Sequence, residues 1–263
     1  MKIIADVLRS KFNNTICHHL ALIINNGTKE IGSGIFIDLN GLRFVITAGH
    51  VIRDSAPSDL FINLGLSNQE DPLKKLDVWT DDKLDIAFIQ LDSFQSDIMR
   101  GEKNEPFRIN AKQIGFPKEL NAIATCGYPK TFWEPNGKYI NARSFTIATQ
   151  GFLPIDSWPP LAKQVFNQDD FLMLSLTDPD GKLNLVDKNG EPASGLNPKG
   201  MSGGPLWLFN VEKINEEQPE YALCGVLTGY LEERKDVLVF VKINSIIQSI
   251  EKKHNIQLTT MPN

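Results

Sequence analysis

The chain has 263 residues, of which 41% are hydrophobic and 22% are charged, and its formal net charge is −5. This composition supports a packed core and excludes a largely disordered chain. The mild acidity argues against binding of nucleic acid or of an anionic membrane surface. No apolar run reaches the about 18 residues that a membrane-spanning helix needs. We therefore expect no nucleic acid and no membrane among the partners of this protein.

Strand patterns dominate the first part of the chain, after a helix predicted near residues 2–13. Two β-rich runs, at residues 35–39 and 42–47, flank the pair Asn40-Gly41. This pair predicts a type I′ hairpin, because both central residues of such a turn need a positive φ. The segments HLALIINNGT, LFINLG and LDIAFIQL are predicted to form further strands.

A polar stretch at residues 93–118, which contains two prolines, indicates a linker. We therefore predict two domains, residues 1–105 and residues 106–263. The second domain resumes with short strands separated by turn residues, which is typical of antiparallel barrels or sandwiches rather than βαβ units. Its last segment predicts a helix over residues 244–256 with Asn244 as the N-cap, the second of only two helices that we expect.

The chain contains three cysteines, Cys17, Cys126 and Cys224, which are too few and too widely spaced for a disulfide framework. The sequence leaves a single bridge open, but buried thiols in a reducing compartment are the simpler interpretation. The N-terminus shows no apolar segment followed by a cleavage site, so we expect a cytoplasmic protein. The adjacent His18 and His19 point to opposite faces of a strand and do not converge on an ion. We expect no metal and no cofactor.

Three short motifs contain the residues that can carry chemistry: His50 in VITAGHVI, Asp85 in LDIAFIQL and Ser202 in GMSGGPL. A serine hydroxyl is a weak nucleophile until a base takes its proton, and histidine suits that role because its pKa lies near neutrality. A carboxylate beside the histidine fixes its tautomer. Asp81 and Asp82 are alternatives to Asp85, but only Asp85 comes directly before the apolar run IAFIQL, so we favour it.

The order His, Asp, Ser in the contexts TAGHV, LDIAFI and GMSGGP resembles the trypsin/chymotrypsin-like serine peptidases over roughly residues 30–256. It is most similar to the bacterial Deg/HtrA-like branch and to other intracellular trypsin-like peptidase domains. The resemblance implies an all-β fold of two antiparallel six-stranded β-barrels, with the active site between them and a C-terminal helix. It also implies roles: His50 as general base and acid, Asp85 as its orienting partner, Ser202 as nucleophile, and the N–H groups of Gly200 and Ser202 as the oxyanion hole.

The resemblance also assigns a substrate pocket. One wall would be formed by Thr228, Gly229 and Tyr230 in the strand after the serine, and the other by Leu196 and Asn197 before it. Leu196 is not acidic, so we do not expect a preference for Arg or Lys at the cleaved position. Tyr230 stands where a glycine is usual in the family, and we expect it to narrow the pocket in favour of small or medium apolar side chains.

Two features depart from the family pattern. Met201 precedes the serine, where secreted digestive members carry an aspartate that pairs with a new N-terminus during zymogen activation. Because methionine cannot form an ion pair, we do not expect that form of activation. The second departure is a long irregular segment at residues 177–199, which we interpret as a lid or regulatory loop.

The leading hypothesis is a cytoplasmic bacterial serine endopeptidase that cleaves protein or peptide substrates. We expect narrow specificity or a trigger, such as a regulatory protein partner. The alternative is a catalytically silent trypsin-like binding module. An esterase of the α/β-hydrolase type is disfavoured, because those enzymes place serine before histidine in the chain and alternate strands with helices.

Overall fold

The computed structural model describes residues 19–25, 30–53, 59–63, 77–92, 107–108, 122–136, 139–142, 144–149, 152–177, 198–210, 221–231, 233–234 and 236–257. The helix predicted near residues 2–13 lies outside these ranges. Most of the predicted linker at residues 93–118 and most of the predicted loop at residues 177–199 lie outside them as well.

The first sheet follows the strand order β4-β1-β2-β3-β6-β5, with every one of these pairs antiparallel. A short seventh strand, β7, adds to β2 in parallel. The polar, half-exposed strand β5 has no counterpart among the predicted strands, because its DVWTD sequence lacks an apolar run. The strand bounds are β1 Leu20–Asn25, β2 Glu30–Leu39, β3 Leu42–Ala48, β4 Leu60–Asn63, β5 Asp77–Asp81, β6 Ile86–Leu91 and β7 Phe107–Arg108.

The hairpin between β2 and β3 has the predicted geometry. Asn40 and Gly41 both have positive φ values, 52° and 90°, as a type I′ turn requires. The flanking residues Leu39 and Leu42 are paired across it. The Gly41 N–H donates to Oδ1 of Asp38 at 2.8 Å, which ties the turn to the strand that enters it.

The second sheet follows the order β11-β8-β13-β14-β15-β12 and is antiparallel throughout, and a separate two-stranded sheet pairs β9 with β10. The predicted all-β architecture, with two six-stranded antiparallel sheets and a C-terminal helix, is therefore confirmed. The strand bounds are β8 Ala122–Gly127, β9 Trp133–Asn136, β10 Tyr139–Ala142, β11 Phe145–Thr149, β12 Phe171–Ser175, β13 Pro205–Phe209, β14 Tyr221–Tyr230 and β15 Val237–Lys242.

Three α-helices occur in the described part of the chain: α1 (Gly49–Ile52), α2 (Pro160–Val165) and α3 (Ile243–His254). Helix α3 confirms the predicted C-terminal helix, but the predicted N-cap Asn244 is wrong. The helix begins directly after β15, so the extended residue Lys242 takes the cap position. Helix α2 was not predicted, because six residues are too few to show a helical period. Among the described helices, none is long and apolar enough to cross a membrane.

Helix α3 connects the second sheet to the first. Ser249 donates to Asp81 at 2.7 Å, and Ser245 donates to Asp170 at 2.9 Å. Lys83 of the first half also contacts Asp170, at 3.1 Å. Burial alone would raise the pKa of Asp170, but the hydrogen bonds from Ser245 and Lys83 outweigh it and hold this pKa below its usual value. These contacts fix the two sheets against each other.

Apolar packing joins the sheets as well. One cluster of buried side chains contains Phe44 and Phe88 of the first sheet together with Trp207 and Val239 of the second. A shared core of this kind holds the ends of the strands from both sheets in a fixed relation, and those ends carry the predicted site. The predicted division at residue 105 stays a prediction, and β7, just beyond it, pairs with the first sheet.

Candidate active site

His50 lies in the one-turn helix α1, directly after the buried end of β3. Gly49 lies close to the segment before β6, and its N–H donates to the carbonyl of Asp85 at 2.6 Å. A Cβ atom at Gly49 would lie 2.8 Å from Oδ1 of Asp85. A glycine is therefore needed directly before the histidine for the two segments to meet.

The structure brings His50 and Asp85 into direct contact. Nδ1 of His50 lies 2.7 Å from Oδ2 of Asp85, and the His50 N–H donates to Oδ1 at 3.0 Å. Asp85 has a φ of 52°, and in this left-handed backbone conformation its carboxylate contacts His50. Of the two alternatives, Asp81 bonds to helix α3 and to the Leu84 N–H instead. The carboxylate beside the histidine is thus that of Asp85.

Arg53 is a third member of this cluster. Its Nη2 atom lies 2.7 Å from Oδ1 of Asp85, so this one oxygen accepts from both His50 and Arg53. The side chains remain partly open to solvent, at 41% exposure for His50 and 32% for Asp85. Oδ1 therefore accepts from a neutral and a charged donor while Oδ2 faces Nδ1 of His50, and this combination restricts the rotation of the carboxylate and of the imidazole.

The serine loop has two glycines in the left-handed region, Gly200 with φ 94° and Gly203 with φ 90°. Three of its N–H groups donate to backbone carbonyls: those of Met201 and Gly204 donate within the loop, to Pro198 and Met201, and that of Gly203 donates to Leu227 of β14. Within the described residues, the N–H groups of Gly200 and Ser202 donate to no acceptor. These are the two N–H groups that the family resemblance assigns to the oxyanion hole, and that assignment stays a prediction.

Met201 anchors this loop to the core of the second sheet. Its side chain is fully buried and belongs to an apolar cluster with Leu206 and Leu227 of the second sheet. Secreted digestive members of the family carry an aspartate at this position, and here a carboxylate buried in such a cluster without a cationic partner would be strongly destabilising. The loop is thus held by apolar packing rather than by an ion pair.

Ser202 itself connects to the first sheet through its backbone. Its carbonyl accepts from the N–H of Ser33 in β2 at 2.8 Å. Ser33 in turn accepts from the Thr47 hydroxyl at 2.7 Å, three residues before His50. In the described part of the chain, the Ser202 hydroxyl forms no hydrogen bond with His50. The serine and the histidine are therefore linked through β2 and β3 rather than by a direct bond.

The predicted pocket residues are only partly described. Leu196 and Asn197 lie outside the described residues. Thr228 is buried, and its hydroxyl donates to the Val239 carbonyl at 3.2 Å. A Cβ atom at Gly229 would meet nothing within 4 Å, so space is open above this residue. Tyr230 is exposed at the end of β14.

Sequence reasoning missed Arg53 and Ser33. A weak signal existed for each. Arg53 follows His50 by three residues, which is close enough for both side chains to reach one carboxylate. Ser33 lies between two glycines inside a strand, which often marks a close backbone approach. Among the described residues, no group of three or more His, Cys, Asp or Glu side chains could hold a metal ion.

Comparisons with known proteins establish the fold. No protein-family model matches the sequence, and no curated protein sequence matches it. The chain is similar to the crystal structure of the scabies mite inactivated protease paralogue S-I1, with 17% identity, a TM-score of 0.55 and coverage of 93% of this chain and 97% of that one. The scabies mite inactivated paralogue S-D1 gives 14% identity, a TM-score of 0.53 and coverage of 94% and 97%.

The HtrA-type protease AlgW with tripeptide is a third similar structure, with 13% identity and a TM-score of 0.52. The match covers 95% of this chain and 64% of that one, so this chain spans about two thirds of that protease. Together these likenesses show that the chain has the trypsin-like serine peptidase fold that its motifs predict.

Proposed function

We propose that this protein is a serine endopeptidase that hydrolyses protein or peptide substrates through a covalent acyl-enzyme. The observation that carries the proposal is the pairing of His50 with Asp85, at 2.7 Å between Nδ1 and Oδ2. Because the carboxylate engages Nδ1, it favours the tautomer whose Nε2 accepts a proton. The imidazole is thereby prepared to act as a base toward Ser202.

The first half-reaction forms the acyl-enzyme. Oγ of Ser202 attacks the scissile carbonyl carbon while Nε2 of His50 takes its proton, and Asp85 stabilises the imidazolium. The carbonyl oxygen becomes an oxyanion that accepts hydrogen bonds from the N–H groups of Gly200 and Ser202. The C–N bond then breaks, and Nε2 returns the proton to the leaving amine.

The second half-reaction releases the product. Water occupies the place of the amine, and His50 takes its proton as the water oxygen attacks the acyl carbon. The same N–H groups bind the second oxyanion. The ester bond to Ser202 breaks, the proton passes from Nε2 to Oγ, and the free acid leaves.

Labelling with a fluorophosphonate probe, which phosphonylates an activated serine, tests this proposal. We expect wild-type protein to be labelled at Ser202 and Ser202→Ala to remain unlabelled. The control His50→Ala keeps the serine but lacks the base, so its labelling should be at least about 100-fold slower. Equal labelling of wild type and Ser202→Ala would contradict the proposed nucleophile.

A second candidate function is a catalytically silent binding module with this fold. Two observations support this candidate. Similar structures include inactivated protease paralogues, and the Ser202 hydroxyl does not bond to His50 within the described residues. The fluorophosphonate experiment discriminates the two candidates, because a silent module stays unlabelled under every condition, including in the presence of candidate partner proteins.

Cleavage of a peptide library tests the proposed substrate pocket. We expect small or medium apolar residues at the cleaved position and little cleavage after Arg or Lys, because Leu196 offers no carboxylate. Tyr230→Gly should extend the profile toward larger apolar side chains, since the open space above Gly229 would then continue. A wild-type profile dominated by Arg or Lys would refute the assignment.

We place the enzyme in the bacterial cytoplasm, in line with the motif resemblance to intracellular trypsin-like peptidases. The thiols of Cys126 and Cys224 are buried in the second sheet, which suits a reducing compartment. Burial raises the pKa of the Cys224 thiol, so it stays protonated and inert. Control of the peptidase is assigned to the segment at residues 177–199 or to a regulatory protein partner.

A further inference from the structure

Ser33, which is fully buried in β2, takes part in four hydrogen bonds, two of which join the first sheet to the serine loop. Its N–H donates to the Ser202 carbonyl at 2.8 Å, and its carbonyl accepts from the Thr47 hydroxyl at 2.7 Å. Its hydroxyl accepts from the Tyr128 N–H at 2.8 Å and donates to the Gly200 carbonyl at 2.8 Å. Every polar group of this residue is thus engaged in a place closed to water, where an unpaired group would be costly.

Two of these bonds reach the residues whose N–H groups we assign to the oxyanion hole. The Gly200 carbonyl lies in one rigid plane with the following N–H, so holding this carbonyl fixes the peptide after Gly200. The peptide before Gly200 is held as well, because the Lys130 N–H donates to the Lys199 carbonyl at 2.7 Å. The Gly200 N–H lies trans to that carbonyl and therefore points away from Lys130.

Gly200 needs such an anchor. Its φ of 94° lies in a region that glycine enters about as readily as the region of negative φ. The residue therefore has no strong backbone preference of its own for the orientation that exposes its N–H. The peptide between Gly200 and Met201 separates the two peptides that carry the N–H groups of Gly200 and Ser202, and its own N–H, that of Met201, donates to the Pro198 carbonyl. The Ser33 hydroxyl supplies the second contact, on the carbonyl side. Without this second contact the peptide can tilt about the remaining bond, which would turn the two flanking N–H groups away from a common point.

We propose that Ser33 is a positioning residue whose side-chain hydroxyl holds the Gly200 carbonyl and thereby directs the N–H groups of Gly200 and Ser202 at one point. What those groups bind rests on the proposed function, whereas the orientation itself does not. In Ser33→Ala the backbone bond to Ser202 remains, but the bonds of the Ser33 hydroxyl to the Gly200 carbonyl and the Tyr128 N–H are removed. The loop then reorients to satisfy the carbonyl elsewhere.

Kinetics of Ser33→Ala give the first test. Because oxyanion contacts strengthen in the transition state, we expect kcat to fall about 10- to 100-fold with KM changed less than about threefold. Fluorophosphonate labelling should slow by a similar factor, and Ser33→Thr, which keeps the hydroxyl, should recover most of the rate. The matched control is Ser245→Ala, which removes a hydrogen bond of a buried serine hydroxyl, the one from α3 to Asp170, outside this network. It should lower the melting temperature comparably while its kcat stays near that of wild type.

The second test needs no activity. In protein labelled with ¹⁵N-glycine and ¹⁵N-serine, the amide signals of Gly200 and Ser202 should shift or broaden in Ser33→Ala and stay unchanged in Ser245→Ala. Unshifted signals, together with a kcat within twofold of wild type, would overturn the positioning role and leave Ser33 a purely structural residue. If wild-type protein is never labelled by the probe, the proposed function fails, and the amide signals still decide whether Ser33 orients the loop.

Discussion

Replacing Asp85 with asparagine is expected to lower kcat/KM by about four orders of magnitude, the loss typical of this change in Ser-His-Asp triads. The carboxylate accepts from the Nδ1–H and the backbone N–H of His50 and from Arg53. An amide group can present only one oxygen to these donors. Its NH₂ group, placed beside Nδ1, would favour the tautomer that puts the proton on Nε2, and Ser202 would then face a donor instead of a base.

The measurement is the rate of cleavage of a peptide selected from the library, with the fluorophosphonate labelling rate as a second readout. Asp82→Asn is the matched control, since Asp82 is exposed and lies three positions from Asp85. It should keep kcat/KM within about twofold of wild type. A loss below tenfold in Asp85→Asn would show that Asp85 does not orient the base, and the triad assignment would have to be abandoned.

The features that could be predicted from the sequence are those whose signal lies within a few consecutive residues. The Asn40-Gly41 pair predicts its own turn because the positive φ values are a local demand. The helix over residues 244–256 was predicted because four isoleucines repeat at helical spacing. The pairing of His50 with Asp85 could be anticipated for a different reason, since the contexts TAGHV and LDIAFI resemble those of the serine peptidase family, and the resemblance implies the pairing.

The features that could not be predicted depend on partners that are distant in the chain. The Ser33 hydroxyl meets the Gly200 carbonyl across 167 positions, and no local pattern names that partner. The role of Arg53 is hidden in the same way, because an exposed arginine after a histidine is ordinarily a solvated side chain. The N-cap Asn244 was misassigned since the pattern alone does not show that β15 runs into α3 without a loop.

Gly203→Ala is expected to be the most damaging glycine-to-alanine change among the glycines that the structure describes. A Cβ atom at this position would overlap the Ser33 carbonyl oxygen and the Thr47 hydroxyl. Both belong to the buried hydrogen-bond network between β2, β3 and the serine loop, so neither can withdraw without breaking a bond. The φ of 90° adds the strain of a left-handed alanine. Overpacking and strain each cost about 1–3 kcal/mol, so we expect a loss of about 4 kcal/mol in the free energy of unfolding.

Gly41→Ala is the matched control, because Gly41 has the same φ of 90° with nothing within 4 Å of a Cβ atom. It should carry the backbone strain alone, about 1 kcal/mol, and leave the fluorophosphonate labelling rate unchanged. Thermal unfolding of both variants separates the two contributions. Equal melting temperatures would mean that the serine loop is not pressed against β2 in solution. A much lower melting temperature for Gly203→Ala would instead establish the close approach from which the orientation of Gly200 and Ser202 follows.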